Sequence, residues 1–516
     1  MRFSGLSDSD SVFCLKNVKG IDIIQKEEMA IPNKQRAEKY LQAALNNPSA
    51  SFREGQYEAI EMLVEEKKRV LIVQRTGWGK SIVYFIAARL LRDEGYGLTL
   101  LISPLLSLMR NQIEMASRIG IAAYTINSSN EDEWKHVQNE MIQDRVDVLL
   151  VSPERLSNFE FTEQYLLPVA NRIGLFAVDE AHCISDWGHD FRPDYRRIVR
   201  ILNVLPKNIP VIATTATAND RVISDIVEQL GSSLVVIRGS LARESLRLQN
   251  IVMPDKAKRM AWLVERIPKI PGSGIVYVLT VRDADRLAEW LRKNGIDAQA
   301  YHAKLENKDR ERLETDLIDN KVKALVASTA LGMGFDKPDL GFVIHFQRPG
   351  SVVSYYQQVG RAGRGLDSAY GILFCGAEDD EIVDYFIRTA FPPIVHVEAV
   401  LNALKNAPEG LTMTELESKV NLPRTRLQKT LKFLQVETPA PIRILDKRWF
   451  RNPVDYEIDR NRIDKITEIR RREQKQMQEY MTSRECLMAF LARELSDPNP
   501  GKCGKCAVCI GAPLLP

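Results

Sequence analysis

A glycine-containing loop is the first segment of this chain with residues suited to bind a nucleoside triphosphate. An apolar stretch ending at Gln74 runs into the loop, and a helical pattern follows it. Loops of this kind present backbone N–H groups to phosphate oxygens, a lysine neutralises the β- and γ-phosphates, and a hydroxyl completes the Mg²⁺ shell. The strict eight-residue pattern requires glycine at position 74, where this chain has Gln74. If this segment is considered alone, the alternative interpretation is an ordinary glycine-containing turn. The predicted phosphate and Mg²⁺ contacts are Thr76, Gly77, Gly79, Lys80 and Ser81.

Paired acids follow the apolar run at 175–178, about a hundred residues after the loop. Asp179 and Glu180 at the end of a buried strand are costly unless they have a chemical role. Asp179 is predicted to hold Mg²⁺ and Glu180 to polarise the attacking water. A helix-capping surface turn is the alternative.

Two arginines framed by glycines form a third candidate element in the second half of the chain. Arg361 and Arg364 lie in the run QQVGRAGR and could stabilise charge on a γ-phosphate in the transition state. Supplied from a second α/β lobe, they would make hydrolysis depend on lobe closure. A solvated basic turn is the alternative.

Four cysteines near the end of the sequence predict a metal site. Sixteen residues separate Cys486 from Cys503, and gaps of two residues lead to Cys506 and Cys509. Four thiolates with two tight loops fit a closed structural Zn²⁺ site, and an iron–sulfur cluster is the alternative. Cys486 is expected inside a helix over 484–495.

Alternating strand and helix patterns predict the elements that position the loop, the acids and the arginines. The pattern is typical of α/β architecture with parallel sheets, one in each half of the region 69–375. A polar stretch at 238–250 is interpreted as the linker between the halves. The predicted strands are 70–74, 98–103, 146–152, 175–179, 211–215, 274–279, 324–328, 342–346 and 370–374.

Helical patterns alone follow residue 390. A helix over 396–405, a capping box at Thr412 and Glu415, a turn at 421–423, a helix over 424–434 and a hairpin over 442–450 together predict a winged helix. This segment is either a DNA-binding element or a packing domain. Trp449 and Phe450 form either a strand-separating wedge or part of the wing's own core. A long exposed helix is expected over 457–481.

Composition is that of an ordinary globular protein with three or four domains. Of 516 residues, 45% are hydrophobic and 27% charged, with a net charge of +3 that neither requires nor excludes a polyanionic partner. No secretory signal and no run of about 18 apolar residues is present, which predicts a cytoplasmic protein without membrane association. Crowding of three of the seven cysteines favours metal binding over disulfides.

Several motifs resemble those of superfamily 2 helicases, and specifically of the RecQ family. The resemblance covers about 50–375 and 459–509. The most specific run is AHCISDWGHDFRPDY at 181–195, which is similar to the family's aromatic-rich loop. The other matching segments are Phe52, Arg53 and Gln56, SPLLSLMRNQ at 103–112, VSPERL at 151–156, ATTATA at 213–218 and ALGMGFDKP at 330–338.

The resemblance implies two tandem RecA-like lobes and specific binding residues. Arg53 and Gln56 would read adenine, and Gly334 and Asp336 would contribute to the nucleotide site. The predicted domains are an N-terminal helical extension (1–50), two lobes (51–237 and 238–390), a winged-helix-like insertion (391–458) and a zinc module (459–516), of which the insertion rests on the helix and hairpin pattern and not on the resemblance. The implied DNA contacts are Ser103, Arg110, Arg155, Trp187, Phe191 and Arg192; the last three offer stacking faces and a cation to unpaired bases.

The implied activity is ATP-dependent unwinding of single-stranded and branched duplex DNA, with 3′ to 5′ polarity, in repair or recombination. A monomer is expected, with single-strand-binding or repair proteins as partners. The alternatives are a duplex or RNA translocase that never separates strands, and a nucleotide-gated DNA-binding scaffold. Two departures stand out: Trp78 replaces the family's usual glycine, and the winged helix precedes the zinc module instead of following it.

Overall fold

The computed structural model describes residues 32–515 apart from 105, 128–129, 158–160, 186–194, 196, 333–334 and 438. The described residues fall into two compact units. The first comprises residues up to 181 together with 197–215 and 227–238, and the second comprises 182–196, 216–226 and 239 onward.

A seven-stranded parallel sheet forms the centre of the first unit. Its strand order is β3-β4-β2-β5-β6-β1-β7, and the five central strands are almost entirely buried. The strands are β1 (Arg69–Val73), β2 (Thr99–Ile102), β3 (Ala123–Ile126), β4 (Val148–Val151), β5 (Leu175–Val178), β6 (Val211–Thr215) and β7 (Val235–Arg238). The helices that begin in this part of the chain are α1 (Asn33–Ala44), α2 (Gln56–Val64), α3 (Lys80–Asp93), α4 (Leu106–Arg118), α5 (Trp134–Ile142), α6 (Arg197–Val204) and α7 (Asp220–Leu230), of which α7 contributes residues to both units.

A six-stranded parallel sheet with the order β10-β11-β9-β12-β13-β8 forms the centre of the second unit. Its strands are β8 (Leu246–Val252), β9 (Gly274–Tyr277), β10 (Ala298–Tyr301), β11 (Ala324–Ala327), β12 (Phe342–His345) and β13 (Ala369–Cys375). The helices around it are α8 (Lys256–Arg266), α9 (Val281–Lys293), α10 (Asn307–Ile318), α11 (Val352–Val359) and α12 (Asp379–Arg388).

The nine predicted strands are all present, but four further strands were missed. These are β3, β7, β8 and β10, and they are the edge strands of the two sheets. An edge strand is covered on fewer sides, so its sequence lacks the continuous apolar run of a central strand. The linker prediction was therefore too long, because its residues from 246 onward belong to β8, which pairs with β13.

The predicted winged helix is present in the second unit. It consists of α13 (Ile394–Lys405), α14 (Met413–Val420), α15 (Arg424–Gln435) and an antiparallel hairpin of β14 (Ile442–Leu445) and β15 (Arg448–Arg451). The predicted capping box closes the start of α14. Trp449 is 9% exposed and belongs to the core of this segment, as the packing alternative for the wing predicts.

The long helix α16 (Arg460–Thr482) leads to two short helices, α17 (Leu487–Glu494) and α18 (Ala507–Ile510), and the four cysteines lie at or beside these two helices. The expected long helix is present, but only part of its surface is exposed, because one side of it is buried at Ile466, Ile469, Met477, Tyr480 and Met481. Among the helices within the described ranges, none has the length and apolarity needed to cross a bilayer.

Candidate nucleotide and metal sites

The phosphate loop lies between β1 and α3 in the first unit, in the predicted strand–loop–helix context. Gly77 and Gly79 have φ values of 83° and 99°, in the left-handed region that favours glycine. A Cβ at Gly79 would lie 2.7 Å from the Gln56 side-chain nitrogen. The Lys80 ammonium donates to the carbonyl of Gln74 over 2.8 Å. The loop thus presents a lysine and a helix N-terminus on a backbone shape suited to phosphate.

The predicted adenine-reading segment is tied to this loop by side-chain hydrogen bonds. The Gln56 amide oxygen accepts from the Arg53 backbone N–H over 2.8 Å, and its nitrogen donates to the Trp78 carbonyl over 2.9 Å. The Arg53 guanidinium donates to the Gly77 carbonyl. Trp78 is 6% exposed and packs in the core of the unit. The structure therefore brings the predicted base-reading and phosphate-binding residues together.

The two acids lie directly after the buried strand β5, as predicted. Asp179 is buried and accepts from the Thr214 hydroxyl over 2.6 Å and from the Glu180 backbone N–H over 3.0 Å. Burial, and then the charge of Glu180, raise the pKa of Asp179 to about 6, while the Thr214 hydrogen bond and Lys80 oppose the rise. Glu180 has φ of 51°, a left-handed backbone conformation that is uncommon for this residue type.

Three residues around Asp179 were missed as individual site residues. Gln112 donates to Asp179 over 3.2 Å and to the Tyr84 hydroxyl over 2.7 Å, and Thr214 makes the bond described above. Gln112 and Thr214 lie inside motifs that the sequence marks, but nothing in their spacing indicates a hydrogen bond to an acid. Tyr84 lies one helical turn after Lys80 and carries no signal of its own.

The residues present fit a Mg²⁺–triphosphate pair. Mg²⁺ prefers oxygen ligands, and Asp179 and Ser81 supply a carboxylate and a hydroxyl. The Lys80 charge acts on Asp179, so these groups share one part of the unit. The buried carboxylate of Asp179 is thus a candidate ligand for such a cation.

The two predicted arginines differ in their surroundings within the second unit. Arg361 is buried and its guanidinium donates to the Phe335 carbonyl over 2.9 Å, whereas Arg364 pairs with Asp336 over 2.7 Å. Gly363 has φ of 66°, and a Cβ there would lie 2.8 Å from that of Ala369. Gly363, the glycine between the two arginines, is thus required by its backbone conformation and by close packing. Gly334 lies outside the described residues.

Only two of the predicted DNA contacts have side chains within the described part of the chain. Trp187, Phe191 and Arg192 lie outside the described residues, as does the side chain of Arg110. Ser103 is fully buried, and its hydroxyl has no hydrogen-bond partner among the described residues. The Arg155 guanidinium lies 4.6 Å from the centre of the Trp134 ring.

The four cysteines converge in the second unit as the spacing predicts. Their Sγ atoms all lie within 4.8 Å of one another, and those of Cys486 and Cys503 are 3.4 Å apart. Zn–S bonds of about 2.3 Å place thiolates about 3.8 Å apart in a tetrahedron, which matches this cluster. Backbone N–H groups of Cys503 and Cys509 donate to Sγ atoms over 3.2 and 3.4 Å.

Two of the cysteines lie at the starts of helices. Cys486 is the N-cap of α17, and Cys506 is the N-cap of α18. The helix expected over 484–495 therefore begins three residues later, at Leu487, and Cys486 lies just before it and not inside it. The cluster fits a closed zinc-binding module that joins helix to loop.

Family models match both sheet-containing parts of the chain. One described as DEAD/DEAH box helicase matches residues 53–226, and one described as helicase conserved C-terminal domain matches 258–365.

Relatives of known identity cover most of the chain. The ATP-dependent DNA helicase RecQ of Pasteurella multocida (strain Pm70) is 38% identical over 369 residues, which is 71% of this chain and 55% of that protein. The protein of the same name from Haemophilus influenzae is 40% identical over 327 residues, 63% of this chain and 51% of that protein. The chain spans about half the length of the curated relatives it matches.

Solved structures with the same fold include the helicase Lhr of Mycobacterium smegmatis, bound to ssDNA and AMP-PNP. Its TM-score is 0.54 at 20% identity, and the match covers 80% of this chain and 60% of that one. Dbp5 of S. cerevisiae, bound to RNA and ADP BeF3, gives 0.54 at 20% identity, with 69% and 91% covered. At these identities the likeness shows the fold alone, that of two RecA-like sheets.

Proposed function

Since the chain belongs to the RecQ family of superfamily 2 helicases, we propose that it is an ATP-dependent DNA helicase. It hydrolyses ATP to move along single-stranded DNA, with 3′ to 5′ polarity, and unwinds duplex or branched DNA. The observation that carries the proposal is the convergence of the phosphate loop, Gln56 and the buried Asp179 in one unit, within a chain that matches both helicase models.

The proposed chemistry is in-line attack of water on the γ-phosphorus. Glu180 orients the water and takes its proton, while the bond from the γ-phosphorus to the bridging oxygen breaks. Lys80 would neutralise the phosphates, and Asp179 and Ser81 would hold Mg²⁺, which would supply positive charge beside the phosphate oxygens. The Lys80 ammonium donates to the Gln74 carbonyl in this structure. When nucleotide binds, its phosphate oxygens would replace that carbonyl as the acceptor for Lys80.

The arginines complete the proposed catalytic set. Arg364 would exchange its Asp336 partner for the γ-phosphate in the transition state. Arg361 is proposed to act beside it, and its hydrogen bond to the Phe335 carbonyl also fixes the local backbone. Asp336 would then hold Arg364 in place between turnovers.

The proposed partners are single-stranded and branched duplex DNA. Trp187, Phe191 and Arg192 are proposed to stack on unpaired bases and to relay their presence to Glu180. Arg110 and Arg155 are proposed contacts to the DNA backbone, whereas Ser103 is not proposed as one, because its side chain is fully buried. A monomeric, cytoplasmic protein that works with single-strand-binding or repair proteins is the accompanying proposal.

One experiment tests the activity. Strand displacement is measured on 3′-tailed, 5′-tailed and blunt duplexes with ATP, with Glu180→Gln as the hydrolysis-deficient control. The expected result is ATP-dependent displacement of the 3′-tailed duplex that Glu180→Gln abolishes. Hydrolysis stimulated by DNA without displacement would replace the helicase by a translocase, and nucleotide binding without hydrolysis would replace it by a nucleotide-gated scaffold.

A further inference from the structure

The winged-helix segment (394–451) carries a helix whose outward side is entirely polar and basic. Helix α15 is the second helix of a helix-turn-helix: α14 ends at Val420, its C-cap Asn421 has a φ of 49°, and α15 begins at Arg424. In this arrangement the second helix is the one that enters a DNA groove. Its side chains therefore decide whether the segment can bind DNA.

One side of α15 forms the core of the segment. Leu427, Thr430, Leu431 and Leu434 are buried against α13 and the wing. Phe433 is half-buried and its ring meets that of Phe391 at 6.2 Å. The apolar residues of α15 are thus already used in packing, and the side that remains offers no apolar surface for a protein partner.

The outward side of α15 carries positive charge that no acidic residue of the same helix neutralises. Helix α15 contains four basic residues and no acidic residue, and the exposed positions between them include Thr425 and Gln428. The basic residues are Arg424, Arg426, Lys429 and Lys432. Alternating cations and neutral hydrogen-bonding groups suit phosphates and base edges in a groove.

Three of these four cations are available to a ligand. Lys429 donates to the Thr389 carbonyl, so it is already engaged. Arg424 is 59% exposed and lies 3.5 Å from the half-buried Glu417, at the far limit of an ion pair, so a phosphate could replace this partner. Arg426 and Lys432 are exposed. The wing adds exposed cations at Arg443 and Lys447.

We propose that helix α15 binds duplex DNA, with Arg424, Arg426 and Lys432 as its phosphate or groove contacts. The winged helix then holds the duplex independently of the nucleotide site. The sequence left two alternatives for this segment, a DNA-binding element or a packing domain, and the proposal chooses the first. It goes beyond the proposed helicase activity, because duplex binding by α15 needs neither ATP binding nor ATP hydrolysis.

The test measures binding of the full chain to a blunt duplex and to single-stranded DNA of the same length, without nucleotide, between 50 and about 200 mM salt. The variant is Arg424→Gln, Arg426→Gln and Lys432→Gln together. Each lost phosphate contact lowers the slope of log K against log salt by about 0.9, so the duplex slope should fall by up to about 2.7. Binding to single-stranded DNA should change much less.

A matched control removes three exposed cations that already have acidic neighbours. Lys293, Arg312 and Lys321 pair with Glu289, Asp309 or Asp316, and Asp319. Their triple change to Gln removes the same charge and should leave the duplex slope near that of the unaltered chain. If the α15 variant keeps its duplex slope, or if both triple variants lose it equally, the proposal is overturned.

Single variants test the same proposal if the triple variant does not fold. Arg426→Gln and Lys432→Gln should each lower the duplex slope by about 0.9 while the melting temperature is retained. An equal loss on duplex and single-stranded DNA would also overturn the proposal, because it would assign α15 to a general DNA path. If the unaltered chain does not hydrolyse ATP, the proposed helicase activity is refuted. The duplex-binding measurement still tests the proposal for α15, because it is made without nucleotide.

Discussion

Gln112 donates a 3.2 Å hydrogen bond to Asp179 and thereby ties helix α4 to the acid that is proposed to hold Mg²⁺. The same amide nitrogen donates to Tyr84 of α3, the helix that begins with Lys80. The Gln112 side chain thus links the SPLLSLMRNQ motif to the helix that follows the phosphate loop and to Asp179. Because all three groups are buried, each lost bond leaves a polar group without its partner.

The first prediction concerns this link. Gln112→Leu should lower kcat/KM for ATP by about tenfold or more, since a buried hydrogen bond to a charged group contributes about 1.5–3 kcal/mol. The matched control is Tyr84→Phe, which keeps the Gln112 bond to Asp179 and should lose less. Steady-state ATPase assays with a Mg²⁺ titration measure both variants. Equal activity of Gln112→Leu and the unaltered chain would show that the bond has no catalytic consequence.

Zinc is the subject of the second prediction. Cys486 and Cys506 lie in the core of the second unit beside Tyr480 and Leu487, so loss of the metal should loosen that core. Purified protein should contain about one zinc per chain, and Cys506→Ser should lose it and melt at lower temperature. Cys375→Ser is the control, because Cys375 lies outside the cluster. Iron with visible absorbance, or a melting temperature insensitive to zinc removal, would contradict the zinc assignment.

The sequence predicted the central strands and missed the edges for one physical reason. Strand β5 is buried along its whole length and reads as a continuous apolar run. Strand β7, at the edge of the same sheet, is half-exposed at most positions, and β8 alternates buried leucines with polar residues inside a stretch that reads as a linker. Without a second covered side, an edge strand leaves little signal in its own sequence.

The candidate site divides in the same way. Lys80, Asp179 and Glu180 are predictable because chemistry imposes their types at fixed places beside strands. Gln112 and Tyr84 are separated from Asp179 by many residues, and their contacts exist only after the sheet has formed. A hydrogen bond between elements distant in sequence has no local pattern from which it could be predicted.

A third prediction uses Asp379, whose carboxylate is buried and accepts from the backbone N–H groups of Arg348 and Gly376 over 2.9 and 2.8 Å. Burial raises the pKa of Asp379 from 3.8 to about 6, despite these bonds. The folded protein therefore holds this proton more tightly than the unfolded chain, and stability falls as pH rises from about 4 to 6.

Asp379→Asn removes the titration and keeps an oxygen for the two N–H donors. The variant should melt higher than the unaltered chain at pH 7 to 8, by an amount on the order of 1–3 kcal/mol in unfolding free energy, and the gain should shrink towards pH 4. Thermal melts across this pH range measure it. A gain that is the same at every pH would assign the effect to something other than the charge of Asp379.

The fourth prediction concerns Arg364 and Arg361. Arg364→Ala should lower kcat for ATP by about a thousandfold, as expected of a cation that stabilises transition-state charge, while the melting temperature changes little. Arg361→Ala should lower both kcat and the melting temperature, because its buried guanidinium also bonds the Phe335 carbonyl. Full activity of Arg364→Ala would remove it from the catalytic set.

Trp78 carries the last prediction, because it occupies a loop position where the family usually has glycine. Its carbonyl accepts from Gln56 and its ring is 6% exposed, with a ring carbon 3.7 Å from the position that a Cβ on Gly55 would take. The ring thus anchors the phosphate loop to the core of the first unit. Glycine at this position would free the loop and lose the buried apolar area.

Trp78→Gly should therefore release nucleotide several-fold faster and melt at lower temperature. Release of a fluorescent ADP analogue after mixing with excess ATP measures the rate. Trp78→Phe is the matched control, because it keeps a buried ring and the backbone conformation, and should release nucleotide at nearly the rate of the unaltered chain. If Trp78→Gly releases nucleotide no faster, the anchored loop does not limit exchange, and the tryptophan serves only the packing of the unit.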